Sequence, residues 1–323
     1  MKTTFLATAL TLVAIGALPA AAQDARTEPA STPKTTAEAP KPTADTPKAG
    51  EAPAAPAAPA TAEDPKPADA AAAVQDDEDD PDLDVNQAQP DYNLVNLPTT
   101  LRMPRGKFAF RVTHRFGRPL DDGNFGDLAA DLFGLDAGGL IGLEVRYGLL
   151  KGTQIGVLRT SDRTIQFFAQ QQIAPQEKFG VGLALNLTAD GTNNFQDSYS
   201  PGIGLVVSRE IGKRGAIYVE PTWVNNTNTL PSELVDDNDS FLIGIGGRIR
   251  MTRRSYLVVE AAPRVSGYDA GRTHGAIGLE MRAGNHAFQL NFSNGLQTTM
   301  GQIARGGTPD DWFIGFNISR KFW

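Results

Sequence analysis

The stretch KFAFRVTHRF, residues 107–116, alternates apolar and polar side chains with a period of two. In an extended strand successive side chains point to opposite faces, so this period predicts a strand with one apolar and one polar face. The apolar face holds Phe108, Phe110, Val112 and Phe116, and the other face holds Lys107, Ala109, Arg111, Thr113 and Arg115.

The same alternation recurs along the rest of the chain. We predict strands at 106–117, 139–149, 152–160, 163–173, 178–189, 201–211, 215–225, 240–251, 254–264, 273–283, 285–293 and 311–322. Most have the roughly 9–11 residues that a tilted transmembrane strand needs. The sequence therefore predicts an all-β fold, an antiparallel up-and-down transmembrane β-barrel of about 12 strands.

The lengths of the connections favour a membrane barrel over a soluble sandwich. Counted from the first strand, the even connections are short, as at 150–151 and 252–253, and most odd ones are long, as at 118–138 and 294–310. Short turns on one side and long loops on the other are typical of barrels whose termini both lie in the periplasm. Only the short connection at 161–162 departs from this pattern.

The start of the chain reads as an export signal followed by a linker. Residues 1–22 combine Lys2, an apolar run from Phe5 to Leu18 and a small-residue cleavage site, which is the pattern of a signal peptide. Residues 23–90 are rich in Pro and Ala, lack aromatic residues and carry a net charge of −10. This composition predicts a disordered acidic linker, and residues 91–323, with a net charge of +2, form the barrel.

Composition argues against several other classes of site. The chain has no cysteine, which excludes disulfides, thiolate metal sites and a lipid-anchor cysteine. The acidic run has the alternate spacing of a calcium loop at Asp80, Asp82 and Asp84, but Val85 stands where an EF-hand needs glycine. With only three histidines and no phosphate loop, zinc motif or basic nucleic-acid patch, we expect no enzyme activity, cofactor, metal or nucleic-acid partner. An acidic site at Asp236, Asp237 and Asp239 is a weaker alternative to a solvated loop.

Four short motifs in the first strands and loops resemble a family of outer-membrane β-barrel proteins of unknown function, known mainly from bacteria such as the Bacteroidetes and Acidobacteria. They are HRFG at 114–117, FGLDAG at 133–138, GLEVRYGL at 142–149 and LRTSDRT at 158–164. The resemblance covers about 91–323 and excludes the linker. It implies a barrel and an envelope location, and it implies no activity or functional residues.

The polar faces of the predicted strands should line the lumen, and they are rich in Arg and Glu. The candidate pore-lining residues are Arg111, Arg115, Glu144, Arg146, Glu220, Arg248, Arg250, Glu260, Arg264, Glu280 and Arg282. One interpretation is a structural network in which Arg and Glu pair and fill a narrow interior. The other is a charged pore that selects anions or small polar solutes.

The first long loop contains GDLAADLFGLDAG, residues 126–138, which predicts one or two turns of amphipathic helix ending near Gly134. Such a helix can fold inward as a constriction, or it can lie on the surface against neighbouring loops.

Together these patterns predict a bacterial outer-membrane protein with its linker in the periplasm. The first functional hypothesis is a narrow channel for small ions or polar solutes. The alternative is a non-conducting structural or binding barrel whose loops or linker engage a partner, such as the cell wall or a periplasmic protein. In either case the partners include outer-membrane lipid and the barrel-assembly machinery, which reads a C-terminal aromatic strand such as the one ending at Phe322 and Trp323.

Overall fold

The computed structural model describes residues 86–228, 238–268, 271–307 and 311–323. Thirteen antiparallel strands occur in this part of the chain. They are β1 (Phe108–Phe116), β2 (Gly139–Leu150), β3 (Thr153–Thr160), β4 (Ile165–Ala174), β5 (Gly182–Gly191), β6 (Tyr199–Glu210), β7 (Gly215–Asn225), β8 (Asp239–Arg250), β9 (Ser255–Ala262), β10 (Arg264–Gly267), β11 (His274–Ala283), β12 (His286–Ser293) and β13 (Phe313–Phe322).

The strands close into an up-and-down barrel. Apart from β10, each pairs with its neighbours around the wall, and the first pairs with the last, with Phe108 opposite Phe322 and Val112 opposite Ile318. Strands β9 and β10 both pair with β8 and are separated only at Pro263, with the same register on both sides; the register shifts further on, between Arg264 and Ser266. Proline cannot donate to the strand ladder, so β10 continues β9 beyond this interruption, and the barrel wall has twelve strands, as the sequence predicts.

One strand begins later than its sequence pattern suggests. The alternation predicts a strand from residue 178, but Gln176–Phe179 form a helical turn, α2, and β5 begins at Gly182. Gly180 ends this turn in the left-handed conformation, with φ of 79°, which glycine adopts without steric cost.

The two ends of the barrel differ. The short-turn end carries the connections 151–152, 175–181, 211–214, 251–254 and 284–285, and the long-loop end carries the others. Helix α1 (Phe125–Ala130), a 3-10 helix (Leu132–Ala137) and α3 (Met300–Arg305) belong to the long loops. No helix among the described residues is long and apolar enough to span a membrane.

The outward face is apolar. Its exposed side chains include Ile141, Leu143, Val145, Ile203, Leu205, Ile245, Val259, Ile277, Leu279, Phe288 and Leu290. An exposed apolar surface this continuous is not stable in water, which makes it an interaction surface around the barrel wall. The apolar faces that the alternation predicts therefore point away from the interior of the closed barrel.

Several sequence-based predictions fall outside the described residues. These are the signal peptide, linker residues 23–85, the calcium-like spacing at Asp80, Asp82 and Asp84, and the acidic residues Asp236 and Asp237. Asp239 is described, and its carboxylate accepts a hydrogen bond from Trp223 Nε1 at 2.9 Å.

Candidate functional site

The interior of the barrel is occupied by residues 86–104, called here the lumenal segment. It enters at the short-turn end, reverses direction and returns to the same end, where β1 begins. The reversal is a tight turn in which Leu94 N donates to Leu97 O at 2.8 Å and Thr99 N donates to Tyr92 O at 2.8 Å. An isolated bridge between Asn93 and Pro98 completes this small hairpin, so the segment carries its own local structure.

The tip of the lumenal segment packs in an apolar cluster. Leu94, Val95 and Leu97 are at most 1% exposed. The barrel wall contributes inward-facing apolar side chains to the same cluster, among them Val206, Val224, Leu242, Tyr256 and Val258. The inner wall of β6 to β9 is therefore partly apolar, whereas the sequence pattern predicts a mainly polar lining.

A wall carboxylate binds the tip of the turn. Glu260, on β9, accepts hydrogen bonds from the backbone N–H groups of Val95 (2.9 Å), Asn96 (3.0 Å) and Leu97 (3.1 Å). His274 Nε2, on the adjacent strand β11, lies 3.1 Å from the same carboxylate. Successive backbone N–H groups that converge in this way form a concave anion site, so Glu260 and the turn are matched in charge and shape.

Four of the predicted arginines also bind the segment, three of them from strands β1 and β2 and one, Arg248, from β8. Arg111 donates to Val95 O, Arg115 donates to Asn96 Oδ1 at 2.8 Å, Arg146 donates to Asn93 Oδ1 at 3.1 Å, and Arg248 donates to Asn93 O at 2.7 Å. These guanidinium groups thus donate to neutral oxygen atoms of the lumenal segment, in positions where they would otherwise be able to bind a polar solute.

The predicted Arg and Glu residues also pair with one another. Arg111 and Arg146 lie 3.5 Å and 2.9 Å from the Glu144 carboxylate, because Arg111 stands opposite Glu144 in the register of β1 and β2. Arg248 pairs with Glu280 at 2.9 Å. Five of the eleven candidate residues are therefore joined in Arg–Glu pairs.

The remaining candidates occupy different positions. Glu220 is 1% exposed, and neither of its carboxylate oxygens has a hydrogen-bond partner within the described part of the chain. Arg282 is buried with Nε and Nη1 equally unpaired there. Arg250 is half-buried and binds Gln87 Oε1 at 2.7 Å, and Arg264 donates to Ala304 O at 3.4 Å near the long-loop end.

The domain boundary predicted at residue 90 lies within the lumenal segment. Ala88 and Gln89 are buried, because Asn86 and Gln89 both donate to the Glu210 carboxylate at the short-turn end. Lys321, on β13, donates to Pro90 O. Residues 86–90, which composition assigns to the linker, thus contact the barrel wall.

A second segment fills the lumen from the long-loop end. Helix α3 buries Met300, Ile303 and Ala304 in the same cluster as the tip of the lumenal segment. Gly301 N donates to Asp190 Oδ2 at 2.7 Å, and Arg305 Nε donates to Thr227 O at 3.1 Å. Burial lowers the pKa of Arg305, and the nearby Asp190 partly offsets this.

The first long loop does not enter the lumen. Helix α1 begins with a capping box between Asn124 and Asp127, and Phe125 is 75% exposed. It ends at Ala130, earlier than the predicted Gly134. The loop is fixed by Arg118, whose hydrogen bond to Asp131 holds the pKa of that carboxyl below its usual value. Of the two predicted placements, the surface one is found.

Little free space remains around the lumenal segment. The cavities beside it measure about 30 Å³ and 10 Å³, enough for one or two water molecules. A larger vestibule of about 650 Å³ opens at the short-turn end between residues 100–105, the turn at 151–152, the end of β4, α2 and strands β5 and β6. The lumenal segment and helix α3 therefore occupy the lumen of the described barrel. No cluster of three or more potential metal ligands occurs within the described ranges.

Comparison with known proteins agrees with the architecture. Residues 91–322 match the model of a family described as "Membrane bound beta barrel domain (DUF5777)". No curated protein matches the sequence. Among solved structures, the chain resembles a NanC porin at 8% identity and a TM-score of 0.46, covering 67% of this chain and 100% of that one. A mutant porin of Rhodopseudomonas blastica gives 11% identity and a TM-score of 0.31, over 57% and 55% of the two chains.

Proposed function

Since this chain belongs to the family of membrane-bound β-barrel domains, we propose that it is an outer-membrane channel for small ions or polar solutes, closed from the short-turn end by its own lumenal segment and from the long-loop end by helix α3. The exposed apolar wall contacts lipid, and the short-turn end, from which the linker emerges, faces the periplasm. In the conformation described here the channel is shut.

The observation that carries this proposal is the way the lumenal segment is attached. Every hydrogen bond described between residues 86–104 and the wall uses a side chain of at least one partner, as in the contacts of Glu260, Arg248 and Gln170. Over the residues that the structure describes, the segment forms no β-ladder with the wall. It enters and leaves at one end, so it can withdraw without breaking the strand pairings that hold the barrel closed.

Withdrawal would expose a charged lining. Arg111, Arg115 and Arg146 lie on the neighbouring strands β1 and β2, and Arg248 lies across the lumen on β8. Glu144 and Glu280 neutralise part of this charge, so the open lumen favours small anions only weakly.

The alternative is a non-conducting barrel that serves a structural or binding role. Its support is the position of α3, because Met300 and Ile303 share one apolar cluster with Leu97 and Val95. Two segments that meet in this way form a core like that of a soluble domain. In this case the linker and loops carry the function.

A reversible disulfide between the lumenal segment and the barrel wall tests the proposed channel. Thr100 Oγ1, in the lumenal segment, lies 2.5 Å from Ser208 Oγ, on β6. The chain has no cysteine, so T100C/S208C introduces one disulfide that holds the segment in place. Wild-type protein and the reduced double variant should give discrete current steps in planar bilayers, and the oxidised variant should give none until it is reduced.

The single variants T100C and S208C are the controls, and both should conduct under oxidising conditions. Current that persists in the fully oxidised double variant contradicts closure by the lumenal segment. Folded wild-type and reduced protein that never conduct contradict the channel and favour the structural alternative.

A further inference from the structure

The short-turn end of the barrel carries a concentration of exposed cations, called here the basic collar. It consists of Arg102, Arg105, Lys107, Lys151, Lys178, Arg209, Lys213, Arg214 and Arg320. These residues come from three turns, from the ends of β6 and β13 and from the chain that leads into β1, so they belong to the rim of the opening rather than to one strand.

Few acidic groups balance the basic collar. Glu177 is the exposed acidic side chain at this end of the described chain, besides the terminal carboxylate of Trp323, and Glu210 is half-buried and already accepts hydrogen bonds from Asn86 and Gln89. The long-loop end differs, because its exposed acids, such as Asp121 and Asp162, are accompanied by exposed arginines. The excess of positive charge is thus a property of one rim.

The sequence supplies a negative segment next to this rim. The acidic run DDEDDPDLD, residues 76–84, contains seven carboxylates and no basic residue. It ends two residues before Asn86, which lies at the short-turn end against Glu210. Ten residues of chain extend at most about 36 Å, so the run is held near the collar at high effective concentration.

We propose that the acidic run, residues 76–84, binds the basic collar of its own barrel. The contact holds the chain at the point where the lumenal segment enters the barrel. It goes beyond the proposed function, because the docking stands whether or not the barrel conducts. Anionic lipid headgroups are the competing occupant of the same cations, and the experiment separates the two.

The test measures a distance in the full chain. Spin labels on Q75C and I211C place one label beside the acidic run and one on the collar turn without removing a charge. Double electron–electron resonance in neutral detergent at low salt should give a short, narrow distribution of distances between the two labels. At about 1 M salt, where the Debye length is about 3 Å, the short-distance fraction should fall below about one third of its initial value.

Two charge variants are matched in number. The first replaces the seven acids of residues 76–84 by Asn or Gln, and should abolish the short distance. The second neutralises seven acids elsewhere in the linker, at Asp24, Glu28, Glu38, Asp45, Glu51, Glu63 and Asp64, and should leave it unchanged. Equal distance distributions in wild type and the first variant overturn the proposal.

The same distance measured in lipid nanodiscs shows whether the acidic run or anionic lipid headgroups bind the basic collar. The short distance should survive in discs of phosphatidylcholine and in discs that contain phosphatidylglycerol. If the anionic lipid removes it while the neutral lipid preserves it, headgroups take the collar in a membrane and the proposal fails.

Discussion

The carboxylate of Glu260 accepts the backbone N–H of Val95 at 2.9 Å, which joins the barrel wall to the tip of the lumenal segment. The same carboxylate accepts the N–H groups of Asn96 and Leu97. One wall side chain therefore satisfies three consecutive buried donors, which an unpaired turn in the lumen would leave without partners.

Replacing this carboxylate should loosen the lumenal segment. E260Q removes the charge and leaves a single oxygen acceptor, and we expect the segment to lose about 1–3 kcal/mol of local stability. Hydrogen exchange of the Asn96 amide should accelerate by about 10- to 100-fold, since 1.4 kcal/mol is a factor of ten.

E220Q is the matched control for E260Q. Glu220 is equally buried, and neither of its oxygens binds the segment within the described chain. The exchange rate of the Asn96 amide should change little in E220Q. Equal acceleration in both variants would show that Glu260 has no special role at the tip.

Replacing only one partner of the buried pair Arg248 and Glu280 should lower the stability of the barrel more than replacing both. Both side chains are at most 2% exposed, so R248M leaves a buried carboxylate without its ion-pair partner and should destabilise the barrel by about 3–5 kcal/mol. R248M/E280M removes both charges and should recover most of that loss. Thermal unfolding of the four members of this cycle measures the coupling; additive losses contradict it.

Helix α3 should depend on the absence of a side chain at Gly301. A Cβ there would lie 2.7 Å from Asp190 Oδ2, which is too close for an ordinary contact. G301A should therefore undock α3 at a cost of about 1–3 kcal/mol, seen as faster exchange of the Ile303 amide. G275A is the control, because its nearest neighbour, Glu260 O, would be 4.0 Å away. No change in G301A would contradict the tight approach.

The first long loop should lose order in acid. The pKa of Asp131 is lowered by its hydrogen bond to Arg118, so this interaction stabilises the loop above the ordinary pKa of aspartate and is lost as pH falls through the lowered value. Protection of the Gly134 amide, which Asp131 also binds, should follow the same course. R118Q should move the loss to higher pH, and an unshifted profile would exclude Arg118 as the cause.

The barrel is predictable from sequence because its signals are local. A period of two, strand-length segments and alternating short and long connections all act within a few residues of one another. The inward Arg and Glu positions follow from the same period, and the structure places Arg111, Glu144 and Arg248 in the interior. Whether they line a conducting path is still a prediction.

The filling of the lumen is not predictable in the same way, because its contacts join residues that are distant in the sequence and meet only when the sheet has closed into a barrel. Two signals were nevertheless present. Val206, Leu242 and Val258 are apolar on the inner faces of β6, β8 and β9, which alternation reserves for polar groups. Thr299 and Gln302 have the spacing of a capping box, with Thr299 as the N-cap and Gln302 in the first turn of the helix that fills the long-loop end.

The central claim is that the lumenal segment leaves the lumen while the barrel stays folded. Val95 is fully buried, and V95C creates the only thiol in the chain. Its labelling by a small polar maleimide should be compared with the rate of barrel unfolding, measured by electrophoretic mobility on the same samples. We predict labelling much faster than unfolding, in barrels that keep their folded mobility. Labelling that proceeds only at the unfolding rate would mean that residues 86–104 are a fixed part of the core.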